Sequence, residues 1–307
     1  MSHLSLRENS YRRKHLSCVR HITLDPTGPG VVRIHMIPPH SQTPDDPFLL
    51  LLNGAQLVPL NFSWAVLLSE FMYCMEPYAG LEISSADWES MLEQAVRGAR
   101  KKVYPLVKVA ILREDMGILL RSLVAIARGQ EPEVEVAPLS LGEYADKMSA
   151  PHRMDLMVSA MTRDGLWHCN QKCLHCYAAS QPLAEAPELD TDQWLAIIQK
   201  CRTMGVSQLT FTGGEPTLRR DLVDLVRSAR WFVTRLNTNG RRLTPELCAG
   251  LYAASLDSVQ VTLYSAEGNI HNQLVGVNGF NDTVQGIRSA VEAGLIVSVN
   301  TPLCSLN

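Results

Sequence analysis

The sequence predicts an α/β chain in two parts. Residues 153–307 read as a partial (βα) TIM-like barrel with five of six βα units, and residues 1–128 as a small α+β domain of winged-helix-like order. Three observations predict this. Strand-like and helix-like stretches alternate five times in the second half, while in the first half three strands precede three helices. Between them Gly129 to His152, GQEPEVEVAPLSLGEYADKMSAPH, carries Pro132, Pro138 and Pro151 in mixed polarity, the composition of a linker with one short helix.

In the first part, VVRIHMI (31–37) is a β-branched strand ahead of Pro38-Pro39. PFLLLLNGAQLVPLN places two apolar runs around Asn53-Gly54, a strong hairpin signal. Phe62 to Met75 has helical apolar spacing with Asn61 as N-cap. A second helix starts at Ser84 or Ser85, where Ser85 with Trp88-Glu89 approximates a capping box, and a third spans Arg113 to Arg128.

In the second part, MDLMVSAMT (154–162), SQLTFTGG (207–214), FVTRLNTNG (232–240), DSVQVTLYS (257–265) and LIVSVNTP (295–302) are strands. Helices fall at Asp192–Met204, Leu218–Arg230, from Thr244 with Pro245 in its first turn, and at Asn281–Ala293. This alternation implies a parallel sheet with right-handed crossovers. The apolar strands suggest burial on both faces, as in a barrel or a doubly wound sheet.

Composition narrows the function. The 307 residues are 46% hydrophobic and 19% charged with net charge −3, which leaves no electrostatic footprint for nucleic acid. Arg12, Arg13, Lys14 and Arg20 read as a solvated leading segment. No apolar run approaches the ~20 residues of a membrane span, and no secretion signal opens the chain. Eight cysteines, three of them clustered, do not resemble a secreted disulfide framework, so a reducing cytoplasm is expected.

CNQKCLHCY, from Cys169 to Tyr177, carries the chemistry. Cys169, Cys173 and Cys176 can share one metal centre but are one short of the four thiolates that close an iron–sulfur cube. A cube held by three leaves an iron open to a chelating ligand, as a catalytic zinc keeps an open position. The same thiols with His168 or His175 also make a zinc set, and spacing alone leaves that reading standing. Unliganded core thiols fit the spacing poorly. The cysteine loop follows the first strand of the series, at the mouth where such folds place chemistry. The next strand ends in TGGEP (212–216), whose two glycines allow close approach to backbone amides and whose Glu215 offers an acceptor for an ammonium group. Cys18, Cys74, Cys201 and Cys248 read as buried thiols, and Cys304 stays open.

With WHCNQKCLHCYA, FTGGEP and LNTNG in place, the stretch from about Met154 to Asn307 resembles the radical S-adenosylmethionine (radical SAM) enzymes of the GGEP type. The resemblance implies that Cys169, Cys173 and Cys176 ligate a [4Fe-4S] cluster. It implies that S-adenosyl-L-methionine chelates the open iron, and that an electron from an external donor cleaves it to a 5′-deoxyadenosyl radical that abstracts hydrogen from substrate. Cofactor contacts are expected at Gly213, Gly214 and Glu215, at His175 beside the adenine, and at Asn237, Thr238, Thr262 and Asn300 on the strand ends. Helix-capping or turn-forming roles compete at those polar strand ends. No residue is singled out as catalytic.

Val31 to Arg128, through LLLLNGAQLVPLNFSWAVLLSEF, resembles the peptide-recognition (RRE-like) domain of ribosomal-peptide maturases. That implies a peptide substrate whose leader adds as a strand near Val31–Pro59; a helical cap is the competing reading. A maturase is therefore expected, with a porphyrin-modifying or other small-molecule radical enzyme, or a catalytically incomplete binding protein or fragment, as alternatives. Ending at strand five, the chain is expected to be an incomplete form or to need a partner chain over the open edge, because LIVSVNTP is apolar and uncharged.

Overall fold

Asn53 has φ of +49°, a left-handed conformation that Asn tolerates better than most residues, and it turns β3 (Phe48–Leu52) into β4 (Gln56–Leu60). Its side chain accepts from Arg33 N at 2.8 Å, so the turn is tied to the neighbouring strand. These contacts come from a computed structural model, which describes residues 3–24, 32–39, 46–53, 56–78, 83–136, 139–145, 150–163, 166–176 and 187–307. Val31, Gly54, Ala55, Pro138, Tyr177 and Ala178 of the stretches above lie outside the described residues. The chain forms two units, Met1–Ala150 and Pro151–Asn307.

The first unit opens with α1 (His3–His15), then β1 (Arg20–Leu24), β2 (Val32–Ile37), β3 and β4 as an antiparallel meander in sequence order. α2 (Phe62–Met75), α3 (Ser85–Lys102), α4 (Val109–Ala127) and short α5 (Leu141–Ala145) follow. Asn61 caps α2 by accepting from Trp64 N at 2.9 Å, and Ser84 caps α3 by accepting from Asp87 N at 3.1 Å, so the N-cap is one residue ahead of the expected box. α2 is the central helix: Leu67, Leu68 and Phe71 are all buried, each worth about 1.5–3 kcal/mol. It also buries Glu70, which Tyr11 Oη reaches at 2.5 Å and Lys102 Nζ at 2.9 and 3.0 Å. A buried carboxylate must be paired, and here it is.

Two sequence expectations change. The basic cluster is only half solvated: Arg13 and Lys14 are exposed, but Arg12 lies over Phe48 and Phe62 at 5.3 and 4.9 Å from their ring centroids. The helix and strand ahead of Val32 were also unforeseen, and β1 occupies the edge of β2. Edge positions therefore fall to β1 and β4, and Leu57 O of β4 already accepts from Leu139 N at 3.2 Å.

The second unit runs β5 (Arg153–Ser159), the two-residue strands β6 (Thr162–Arg163) and β7 (Leu166–Trp167), α6 (Thr191–Met204), β8 (Gln208–Gly213), α7 (Leu222–Ser228) and β9 (Val233–Thr238). α8 (Pro245–Ala253), β10 (Ser258–Thr262), α9 (Gly268–Val275), α10 (Phe280–Glu292) and β11 (Ile296–Asn300) complete it. The parallel sheet has the order β11-β10-β9-β8-β5. Strands are added in one direction without reversal. A doubly wound sheet needs a switch point, so the winding is that of a barrel.

The strands are not buried on both faces. Leu156, Phe211, Leu236 and Val259 stand in register on the apolar face. The alternate positions Met157 and Thr212, then Asn237, Gln260 and Ser298, then Thr262 and Asn300, form a half-buried to exposed polar face. Helices pack one side only, and period-two alternation sends every second side chain to the other.

Candidate functional site

The cysteine loop is short, and its shape is set from outside it. Trp167 Nε1 donates to Gln171 O at 2.6 Å. Lys172 N and Leu174 N donate to Val275 O and Leu274 O, each at 2.9 Å, so the loop satisfies carbonyls at the C-terminus of α9. Gly276 then has φ of +68°, and a Cβ there would stand 2.6 Å from Lys172 O; only glycine fits both constraints. On the other flank Asn239 Nδ2 donates to Asn170 Oδ1, and Arg241 donates to Asn170 O, both at 2.6 Å.

This brings Cys169, Cys173 and Cys176 together, each half-buried and reduced. Cys169 and Cys176 pack on Met161, and Cys173 packs against Tyr264, Leu274 and Val275. Burial pushes the Cys169 thiol up to about 12 and that of Cys173 to about 11, with repulsion from neighbouring thiols adding to it and, for Cys169, from Glu215. Such thiols are poor free nucleophiles, and a cationic centre is what ionises them. Among the described residues, no three His, Cys, Asp or Glu side chains already close around a single ion. A cube asks for a looser set, because each thiolate binds a different iron. His168 instead faces Glu188, 3.8 Å away, and His175 meets the Tyr264 ring edge-on at 4.8 Å.

The GGEP turn abuts this loop: the Cys169 thiol donates to Gly214 O at 3.5 Å. Both glycines are dictated by the chain itself. A Cβ on Gly213 (φ +140°) would lie 2.3 Å from Ser159 O, and one on Gly214 would lie 2.7 Å from Ala160 O. Here it is the end of β5, rather than a ligand, that approaches the two glycines closely.

Glu215 is 1% exposed. Its Oε1 accepts from Thr217 N at 3.0 Å, Thr217 Oγ1 at 2.6 Å and Thr238 Oγ1 at 2.7 Å, and its Oε2 accepts from Asn239 N at 2.8 Å. The carboxylate is thus a brace between the ends of β8 and β9. Asn239, which the sequence reading passed over, joins that brace to Asn170. It also accepts from Arg241 N at 3.1 Å and, at its carbonyl, from Thr283 Oγ1 at 3.0 Å. Neither Asn239 nor Arg241 belongs to a spacing motif; their signal was the remainder of LNTNG and the residue after it.

The remaining expected contacts divide. Asn237, Thr262 and Asn300 share the polar face of the sheet. Thr238 is on the opposite face, its hydroxyl held between Glu215 and Gly240 N. Ser159 Oγ, Gln171 Nε2 and Asn237 Oδ1 are buried without a hydrogen-bond partner. Orphaned polar atoms in the loop and at the strand ends are what a polar ligand seated there would satisfy. Of the other cysteines, Cys201 and Cys248 are buried as expected, Cys18 and Cys74 are half-buried, and Cys304 is exposed.

Residues 168–304 match the Radical SAM superfamily, so the second unit carries a domain of that superfamily. The cofactors of that superfamily are a [4Fe-4S] cluster and S-adenosylmethionine, and the half-buried three-thiol loop with its neighbouring orphaned polar atoms fits them. Among curated proteins, a probable GTP 3',8-cyclase of Thermococcus kodakarensis is 32% identical over 126 residues, covering 40% of this chain and 41% of that protein. The probable GTP 3',8-cyclase of Saccharolobus solfataricus is 31% identical over 131 residues, 42% of each chain. The chain therefore spans about two fifths of the length of these relatives. Among solved structures, Streptococcus suis SuiB has 16% identity and a TM-score of 0.42, over 83% of this chain and 52% of that one. SuiB bound to S-adenosylmethionine gives 15% and 0.43, over 83% and 53%. No helix among the described residues is long and apolar enough to cross a membrane.

Proposed function

We propose that this protein is a radical SAM enzyme that matures a ribosomally made peptide, with an external protein or small molecule as electron donor. The observation that carries the enzyme reading is the convergence of three half-buried thiols on one loop clamped at the strand mouth, next to the GGEP turn. When bound, the cluster and S-adenosylmethionine supply a 5′-deoxyadenosyl radical for hydrogen abstraction. The chain's own part is to hold and seat them. Cys169, Cys173 and Cys176 ligate, Gly213, Gly214 and Glu215 present acceptors for the methionine ammonium, and His175 stands by the adenine. Asn237, Thr262 and Asn300 offer polar groups from the open sheet face. Thr238 acts through Glu215.

The test is reconstitution under anaerobic conditions. The parent should turn brown with about four irons per chain, cleave S-adenosylmethionine with dithionite, and lose both properties in Cys173→Ala. A colourless protein holding one tight zinc would overturn the reading. Loaded protein that binds but never cleaves would be a binding protein.

The peptide assignment is supported by the first unit's meander, which offers extended edges for strand addition. β2 and β3 are interior, so a leader would add along β1, or along β4 where Leu57 O leaves room. Titrating the full chain with a candidate leader should protect backbone amides of β1 or β4 from exchange. A small-molecule substrate is the second reading, favoured by the similarity to probable GTP 3',8-cyclases and by the polar sheet face. No leader binding and no protection in either strand, beside tight binding of a nucleotide, would decide for it.

A further inference from the structure

The three cysteines have unequal surroundings. Cys169 meets main-chain groups: its thiol donates to Gly214 O at 3.5 Å, and the Gln171 main chain lies beside its sulfur. Cys173 has polar side chains on two sides. The Tyr264 side chain packs against it, and the Gln171 Oε1 stands 3.5 Å from its sulfur.

Tyr264 cannot easily turn away. It is 7% exposed, and its ring is crossed edge-on by His175 at 4.8 Å and 88°. Its main-chain N–H donates to His271 Nδ1 at 3.3 Å, and its carbonyl accepts from the Asn307 carboxamide. With the backbone anchored on both sides, the hydroxyl has little freedom beyond rotation about its own C–O bond.

Gln171 is 3% exposed, and its Nε2 is buried with no partner while Oε1 accepts from the Cys173 thiol. That arrangement suits a protonated sulfur. A metal ligand must be deprotonated, and a thiolate only accepts, so Oε1 facing it would be repelled. Turning the amide by half a revolution exchanges its two ends without moving the chain, and the orphaned donor then meets the sulfur. Donors to a cluster sulfur withdraw electron density and favour the more negative, reduced state.

Resting on the cluster reading above, we propose that Tyr264 and Gln171 donate hydrogen bonds to the Cys173 sulfur and raise the reduction potential of the cluster that this cysteine ligates. Both are tuning residues for reduction by the electron donor. Neither is needed for the thiols to reach the iron, which is the work of the loop clamps at Asn170, Lys172 and Leu174.

The experiment is a redox titration of anaerobically reconstituted full-length parent, Tyr264→Phe and Gln171→Met, followed by the EPR signal of the reduced cluster, with iron content measured on each sample. Tyr264→Phe removes one oxygen and keeps the ring. It should hold parental iron and show about a tenfold lower ratio of reduced to oxidised cluster at a fixed potential, which is about 59 mV for a one-electron couple. Gln171→Met should shift the same way. A downward shift in either iron-loaded variant supports the inference. Parental potentials in whichever variants load iron would overturn it, as would loss of iron from both, since the two residues would then be serving assembly. A parent that loads no iron would overturn the cluster reading itself, a result that differs from all of these.

Discussion

Removing the Glu215 carboxylate should do more than weaken a ligand contact. Four donors converge on it inside the protein: Thr217 N, Thr217 Oγ1, Thr238 Oγ1 and Asn239 N. In Glu215→Ala the two hydroxyls can rotate toward other acceptors, but the two backbone N–H groups stay buried and unpaired. At about 1–3 kcal/mol for each unsatisfied group, the cost is about 2–6 kcal/mol, a large share of the ~5–15 kcal/mol of a typical domain. Glu215→Gln keeps one acceptor oxygen and sets an amide N–H against Asn239 N–H, so it should cost about 1–3 kcal/mol. Urea unfolding gives the two free energies, and hydrogen exchange at the Thr217 and Asn239 amides locates them. Because Asn239 also holds Asn170, iron loading should fall in Glu215→Ala. A parental urea midpoint together with parental exchange at both amides would refute the reasoning, leaving Glu215 as a ligand contact alone.

Gly276→Ala places a methyl 2.6 Å from Lys172 O at a φ of +68°; iron per chain after reconstitution should drop, along with about 1–2 kcal/mol of stability for the left-handed alanine. Gly98→Ala brings a methyl to 2.2 Å from Glu70 Oε2, an oxygen fixed by Lys102, and should cost about 1–3 kcal/mol in thermal or urea unfolding. Arg219 donates to both oxygens of Asp221 at 2.9 and 2.6 Å, and this pairing holds the Asp221 carboxyl below its ordinary 3.8. A depressed folded value means that the stabilisation is complete above pH 3.8 and is lost as pH falls through the lower folded value. The stability difference between parent and Asp221→Asn should therefore be constant from neutral pH down to about 5 and shrink below 3.8.

Regular elements were legible where one signal dominated. The Asn61 cap, the Asn53 turn and the βα alternation mark α2, the β3–β4 hairpin and the sheet with errors of up to three residues. Missing from the reading were α1 and β1, whose polar, basic sequence gives little helical or strand periodicity, and α9, concealed in a loop-like run of Gly, Asn and His. Strand burial was misjudged because an apolar run does not say how many of its faces are covered. At the site, the cysteines and GGEP announced themselves by spacing. The brace through Glu215 and Asn239 did not, since it depends on residues that meet only after β8 and β9 pair. The same holds for Tyr264, which lies 91 positions after Cys173 in the chain and touches it only in the fold.

The loop clamps also set a timetable. Apart from Trp167 and Met161, the supports of the cysteine loop lie downstream of it: Gly214 just past the next strand of the sheet, Asn239 and Arg241 after β9, Leu274 and Val275 at the end of α9. During synthesis the three thiols leave the ribosome long before any of these residues exist as partners. Until α9 has docked, the loop is a flexible segment whose cysteines are exposed to oxidation or to stray zinc. Cluster insertion must therefore follow the folding of nearly the whole second unit, and a ribosome-bound chain halted before Leu274 should take up metal without discrimination. Delivery of iron and sulfur after the chain is complete should then give a better iron yield than delivery to the unfinished chain.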